Sequence, residues 1–296
     1  MNVGRDVVLN KFGYYELAKK PTLLELKDYY ASEYYQGGQQ GYLESYSSEE
    51  LLYIENKIER RKLFLVGSMN LSDKPSLLDV GAGEGFTLHY FKRLGWQVTG
   101  LDYSEYGCKT HNAECLDDLI VGDIIENLSG LIHQGRLFDI VWLDHVLEHL
   151  LDPGFLLMQL RNVVKPGGAV LIEVPNDFSR LQEYLLSSGK IDSNFWVCPP
   201  HHISYFNVEG LTNLCREHGW QLNDIMGDFP IDFFLVNPDS NYVKDQSKGK
   251  GCHQSRIEID NLFHSISPQL TNEYYKCMAK MGLGREIVAS LSLANE

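Results

Sequence analysis

The stretch LLDVGAGEGF, residues 77–86, restricts the fold more than any other part of this 296-residue chain. An apolar run enters three glycines at alternate positions, Gly81, Gly83 and Gly85, and a helical pattern begins just beyond. Glycine lets the backbone turn sharply and approach a ligand closely. The start of a helix adds free N–H groups. A dinucleotide-binding turn would read G-x-G-x-x-G. Counted from Gly81, that pattern needs glycine at position 86, which is Phe86. An acid, Asp79, precedes the turn, where it suits a cationic amine better than a pyrophosphate.

The surrounding hundred residues repeat the alternation. SLLDVGAG, WQVTGLD, FDIVWLD and GAVLIEVPN read as strands. FTLHYFKRLG, the segment around 104–116, and HVLEHLLDPGFLLMQLRNVV read as helical stretches between them. Such alternation implies βαβ units and a parallel sheet. The strands are nearly continuous in apolar residues, as when both faces are covered. Beyond residue 176, VEGLTNLCREHGW predicts a helix ending at Gly219, and QLNDIMGDF and REIVASLSLA predict two further strands. Residues 49–69 show helical spacing. The predicted organisation is an N-terminal lid or helical segment over 1–70, then a domain over 71–296 with an insertion at about 238–280. That insertion begins polar and is followed by the helix-like PQLTNEYYKCMAKMG. Tyrosines at 29, 30, 34, 35, 42 and 46 suit a lid that excludes water.

Two more acids follow strand ends. Asp102, in VTGLDYS, suits two ribose hydroxyls, since a carboxylate only accepts. Asp123, in VGDI, sits where it can read the amine edge of adenine. Amine, ribose and adenine together describe S-adenosylmethionine.

LLDVGAGEGF, VTGLDYS, VGDI, FDIVWLDHVLEHLLDP and VVKPGGAVLIEVPN, in that order, resemble the successive motifs of class I SAM-dependent methyltransferases over about 75–230. The resemblance implies a Rossmann-like, mostly parallel seven-stranded sheet with helices on both faces. It implies that the loop of Gly81, Ala82, Gly83, Glu84 and Gly85 wraps the methionine part of the cofactor, with Asp79 on its amine. Asp102 then takes the ribose, Tyr103 lies beside the adenine, and Asp123 and Ile124 meet the ring. Leu143 and Asp144 offer backbone to the methionine amine, and Arg60 or Arg61 meets its carboxylate.

DHVLEHLLDP, EVPN and HHISYF resemble the small-molecule and sugar methyltransferase subgroup. The implied acceptor is a sugar or sugar-nucleotide hydroxyl, and the alternatives are N- or C-methylation of a natural-product or quinone-like acceptor, or a SAM-binding regulator without turnover. O-methylation needs a base, and histidine titrates near neutrality. His145 lies two residues past the strand FDIVWL, and His201 and His202 form an adjacent pair after Pro199 and Pro200. These three are the candidate bases. His145, Asn176 and Tyr205 are the candidate acceptor contacts. Glu148 and His149 suit capping and bracing of the helix that follows.

No metal site is expected. Two adjacent histidines project apart and need partners such as His145, His149 or Asp177 to complete a set. HVLEH matches the H-x-x-E-H pattern of one zinc protease class, but here it belongs to a methyltransferase motif. A net charge of −14 repels phosphate backbones, so nucleic acid is not expected as a partner. No run approaches a membrane span, no signal pattern opens the chain, and the six cysteines form no C-x-x-C pair. A cytoplasmic monomer or homodimer is expected.

Overall fold

A computed structural model describes residues 6–29, 44–67, 69, 71 and 73–294. In chain order the strands are β1 (Val7–Leu9), β2 (Tyr15–Leu17), β3 (Ser76–Val80), β4 (Gln97–Asp102), β5 (Leu119–Val121), β6 (Phe138–Asp144), β7 (Val164–Pro175), β8 (Ser204–Tyr205), β9 (Trp220–Met226) and β10 (Glu286–Leu293). The α-helices are α1 (Leu23–Tyr29), α2 (Ser48–Val66), α3 (Phe86–Arg93), α4 (Tyr106–His111), α5 (Ile124–His133), α6 (Pro153–Leu160), α7 (Arg180–Ser187), α8 (Val208–Glu217), α9 (Gly249–Ile266) and α10 (Pro268–Lys280).

Seven strands form one sheet in the order β5-β4-β3-β6-β7-β10-β9. The first five are parallel, and β10 runs antiparallel to both β7 and β9. The period of two explains the layers. Leu78, Val80, Val141, Leu143, Val170 and Ile172 face a core with α5, α6 and α8. Leu77, Ile140, Trp142, Ala169 and Leu171 face the other core, with α2, α3 and α10. Each such leucine or valine contributes about 1.5–3 kcal/mol by leaving water. Among the described residues no helix is long and apolar enough to cross a membrane.

Local chemistry sets the boundaries. Ser47 and Glu50 form a capping box at the start of α2. Gly219 takes φ +79° two residues past the end of α8. The stretch 145–164 is not one helical run as the sequence suggested. A single 3-10 turn covers Leu147–His149, and α6 starts only at Pro153. Asp152 caps α6 through the Phe155 N–H, and proline at the first position lacks the N–H that would continue a helix backwards.

The N-terminal region departs from a purely helical segment. β1 and β2 pair and join β8 in a three-stranded antiparallel sheet. That sheet is anchored by Val7, Leu17, Trp196 and Tyr205 in a third cluster. Residues 249–280 form two helices, and both α9 and α10 contact α2. Of the lid tyrosines, Tyr30, Tyr34, Tyr35 and Tyr42 and the side chain of Tyr29 lie outside the described residues.

Candidate active site

The ends of the parallel strands bring the expected residues to one edge. Asp79 is the last but one residue of β3, and Asp102 and Asp144 end β4 and β6. The Gly81 and Ala82 N–H groups both donate to the Leu101 carbonyl, at 2.8 and 3.0 Å, tying the glycine loop to β4. Asp102 holds the same loop: its Oδ2 accepts from the Gly83 N–H at 2.8 Å and its Oδ1 from the Ser104 N–H at 2.9 Å. Burial pushes the Asp102 carboxyl up, and the N–H groups of Ser104, Gly83 and Tyr103 oppose that rise.

Gly81 is required twice over. Its φ is +81°, and a Cβ there would meet Val146 Cγ2 at 2.6 Å. Gly95 has φ +79° with nothing within 4 Å of a Cβ, so it isolates the backbone term. Gly95→Ala is expected to cost about 1 kcal/mol from φ strain. Gly81→Ala is expected to cost about 1–3 kcal/mol more by forcing Val146 aside, and to weaken cofactor binding at least tenfold. Thermal melts and calorimetry check both.

Asp123 is the N-cap of α5, accepting from the Ile125 and Glu126 N–H groups at 2.9 and 3.1 Å. The Tyr103 hydroxyl donates to its other oxygen at 3.2 Å, and burial together with Asp123 pushes that phenol up to about 12. Ile124 is buried behind them. Glu84, on the glycine loop, accepts the Tyr46 hydroxyl at 2.8 Å and lies 3.3 Å from His111 Nε2. Tyr46 is thus the one lid tyrosine whose side chain is described, and it reaches the loop.

Asp79 is 2% exposed. Burial, Asp144 and Asp102 all push its carboxyl well above the usual carboxylate range. A buried acid facing acids is a place for a cation, and an ammonium group beside it relieves the strain. This electrostatic gap fits the cofactor that the sequence suggested.

Next to it lies an ion network that sequence reasoning missed. Arg61 Nη1 donates to Asp144 Oδ2 at 3.0 Å, and Arg61 Nη2 pairs with Glu173. Lys57, one turn earlier on α2, lies 3.1 Å from Glu173 Oε1. Burial would raise the Asp144 carboxyl, but Arg61, Lys57 and His145 outweigh it and hold it at about 2. Arg60 points elsewhere: it pairs with Asp260 on α9, over the Tyr275 ring.

His145 follows β6 with φ +55°. Its N–H donates to the Glu173 carbonyl at 3.1 Å, and its Nδ1 lies 2.9 Å from the fully buried Glu148. Nε2 is 3.6 Å from Asp144, 3.9 Å from Glu173 and 3.8 Å from Glu286. The side chain is 39% exposed but hemmed in by carboxylates. Burial disfavours its charge, yet Glu286, Glu148 and Asp144 lift the imidazole to about 10. Burial pushes Glu286 up to about 8, against the pull of His145. Glu286 reaches this edge because β10 is antiparallel: its first residue pairs with Pro175, the last of β7. The neighbouring Arg285 donates to Asp177 at 3.1 Å.

The remaining expected residues are engaged differently. Asn176 is 3% exposed and donates to the Gly284 carbonyl at 3.1 Å, fixing the approach to β10. Tyr205 is fully buried in β8 and donates to the His202 carbonyl at 2.9 Å. Leu143 is fully buried in β6. The His201 and His202 rings stack on each other, centroids 4.8 Å apart, and meet the His149 ring edge-on. Burial holds them neutral, His201 at about 4 and His202 at about 3. One signal in the sequence pointed to the hidden network: Glu173 is an acid inside the apolar run AVLIEVP.

A mostly parallel sheet with a glycine turn, and acids at the ends of successive strands, define a nucleoside-binding α/β enzyme of the Rossmann-like kind. Residues 51–224 match the family model described as "Methyltransferase domain", and the chain belongs to that family, as a class I SAM-dependent methyltransferase. It is similar to the ubiquinone biosynthesis O-methyltransferase of Caulobacter vibrioides, 34% identical over 43% of this chain and 51% of the relative. The Proteus mirabilis protein of the same name is 28% identical over 56% of this chain and 71% of its own length. The chain spans about half the length of the first curated relatives it matches, 51% and 57%. Among solved structures, a SAM-dependent methyltransferase from Archaeoglobus fulgidus shares the fold, with TM-score 0.52, 20% identity, and coverage of 83% of this chain and 94% of that one.

Proposed function

We propose that this enzyme O-methylates a small, hydroxyl-rich acceptor, a sugar or sugar nucleotide, bound where β6 and β7 end and β10 begins. One observation supports this above others. Asp144 Oδ1, Glu148 Oε2, Asp177 Oδ2 and Glu286 Oε2 are buried and accept no hydrogen bond among the described residues. Buried acceptors without donors are costly. A ligand carrying several hydroxyls supplies donors, whereas an apolar ring does not.

S-adenosylmethionine supplies an activated methyl group on a sulfonium. Asp79 would take its ammonium, and the loop Gly81–Gly85 would hold its methionine part, with Leu143 and Asp144 alongside. Asp102 has lone-pair capacity left beyond the N–H groups of Gly83, Ser104 and Tyr103 for a ribose hydroxyl. Tyr103, Asp123 and Ile124 would border the adenine. Arg61 is already committed to Asp144 and Glu173, so it orients Asp144.

His145 and Glu286 handle the acceptor's proton. With the carboxyl at about 8 and the imidazole at about 10, the pair loses its first proton near the working pH. The deprotonated pair is the base, so kcat/KM should rise with pH through about 8 and level above it. Glu286→Gln should remove that rise. His145→Gln should lower kcat by about 10²–10⁴-fold.

The test is transfer of labelled methyl from SAM to a panel of nucleotide sugars and hydroxylated quinone precursors. Turnover confined to nucleotide sugars supports the reading. The names of the curated relatives favour a second one, O-methylation of a quinone precursor, and turnover confined to those compounds would replace the first. An unchanged kcat in His145→Gln would end the proposed proton role.

A further inference from the structure

The sequence places two histidines side by side, and the fold adds a third. His149 lies on the 3-10 turn after β6. His201 and His202 lie on the loop before β8, some fifty residues on. One ligand atom from each of the three rings lies within 4.8 Å of the other two. We propose that His149, His201 and His202 bind one divalent transition-metal ion of the zinc class, which clamps the loop before β8 onto the segment after β6.

Three observations carry this. First, His149 Nδ1 lies 2.7 Å from the His201 carbonyl oxygen. A carbonyl only accepts, so Nδ1 carries a proton, and in the neutral ring Nε2 keeps its lone pair. Metal-ligating histidines are held this way, with the second ring nitrogen fixed by an outer partner. Second, His202 Nδ1 is buried and has no hydrogen-bond partner among the described residues. Ring stacking accounts for the packing of these side chains but leaves that nitrogen unsatisfied. Third, the fully buried Glu148 has an oxygen 3.9 Å from His149 Nε2. It sets a negative charge beside the position of a dication.

The donor set chooses the ion. Neutral imidazoles suit zinc, copper, nickel and cobalt, and hard oxygen-seeking ions such as magnesium do not favour them. Tetrahedral zinc at about 2.0–2.1 Å from nitrogen needs nitrogens about 3.3 Å apart. From 4.8 Å or less, each pair closes by at most about 1.5 Å, within the reach of side-chain rotation. The backbone is already tethered. The Ile203 N–H donates to the Glu148 carbonyl at 2.8 Å, and the His202 N–H to the Cys198 carbonyl at 3.2 Å. An ion would therefore fasten two segments that already touch.

The experiment uses the full chain, stripped with chelator and titrated with Co(II) under visible absorption and with Zn(II) in calorimetry. One ion per chain is expected, with a rise in melting temperature on adding Zn(II). His149→Gln and His202→Gln should each weaken binding about 100-fold or more, and Cys198→Ser, which removes the exposed thiol nearby, should leave it unchanged. Absence of stoichiometric uptake, binding that survives both histidine changes, or binding lost with Cys198→Ser would overturn the proposal. X-ray absorption on zinc-loaded wild-type protein decides the matter even if a variant fails to fold. Three imidazoles in the zinc shell support it, and sulfur ligands refute it.

Discussion

Asp79→Asn is expected to weaken S-adenosylmethionine binding by about 10–150-fold while making the cofactor-free protein more stable. The two effects have one cause. Asp79 is 2% exposed, and burial, Asp144 and Asp102 all act against its charge. In the free protein the carboxylate is a net cost. Its folded pKa lies above the unfolded value near 4, so the cost grows as pH rises from there and is present at pH 7. Asparagine keeps the shape and removes the charge, and should contribute about 1 kcal/mol at pH 7 that disappears towards pH 4. With cofactor bound the same carboxylate would accept charge-assisted hydrogen bonds worth about 1.5–3 kcal/mol. Calorimetry reads the affinity and thermal melts at pH 4.5 and 7 read the stability. A variant that binds SAM as tightly as wild type would remove Asp79 from the cofactor site.

Arg61→Ala has the largest expected effect on folding. The side chain is 3% exposed and pairs with both Asp144 and Glu173. Truncation leaves the fully buried Glu173 and the part-exposed Asp144 without their shared cation, with Lys57 and His145 near to compensate. Breaking a buried pair in this way costs about 3–5 kcal/mol, which for a chain of this size lowers the melting temperature by roughly 6–10 °C. The companion variant Arg61→Met with Glu173→Gln removes a cation and an anion together and should recover at least half of the loss. If the double variant melts no higher than Arg61→Ala, the cost lies in packing and not in unpaired charge.

These two residues show how far the sequence reached. Asp79 was legible because it precedes a glycine turn whose spacing is local, Asp102 and Asp123 followed from the same strand-end logic, and Asp144 came only with the family resemblance. Arg61 was only one of two adjacent candidates. Helix geometry turns neighbours about 100° apart, so one faces the sheet edge and the other α9, but a short apolar pattern does not tell which. Glu286 was out of reach. It stands more than a hundred residues from His145, and only the antiparallel register of β10 on β7 brings it within 3.8 Å. Asn176 followed the right strand, and its Nδ2 donates to the Gly284 carbonyl, a partner the sequence does not reveal.

The sequence by itself determined the sheet, the glycine turn and the acids at the strand ends, because these depend on periodicity and on spacings of a few residues. The tertiary structure alone decided the charge states and the company of the histidines. A pKa depends on every charge within a few ångströms, and those around His145 come from β6, β7 and β10 and the turn after β6. His149 meets His201 and His202 for the same reason: contact between distant segments is set by how the layers pack.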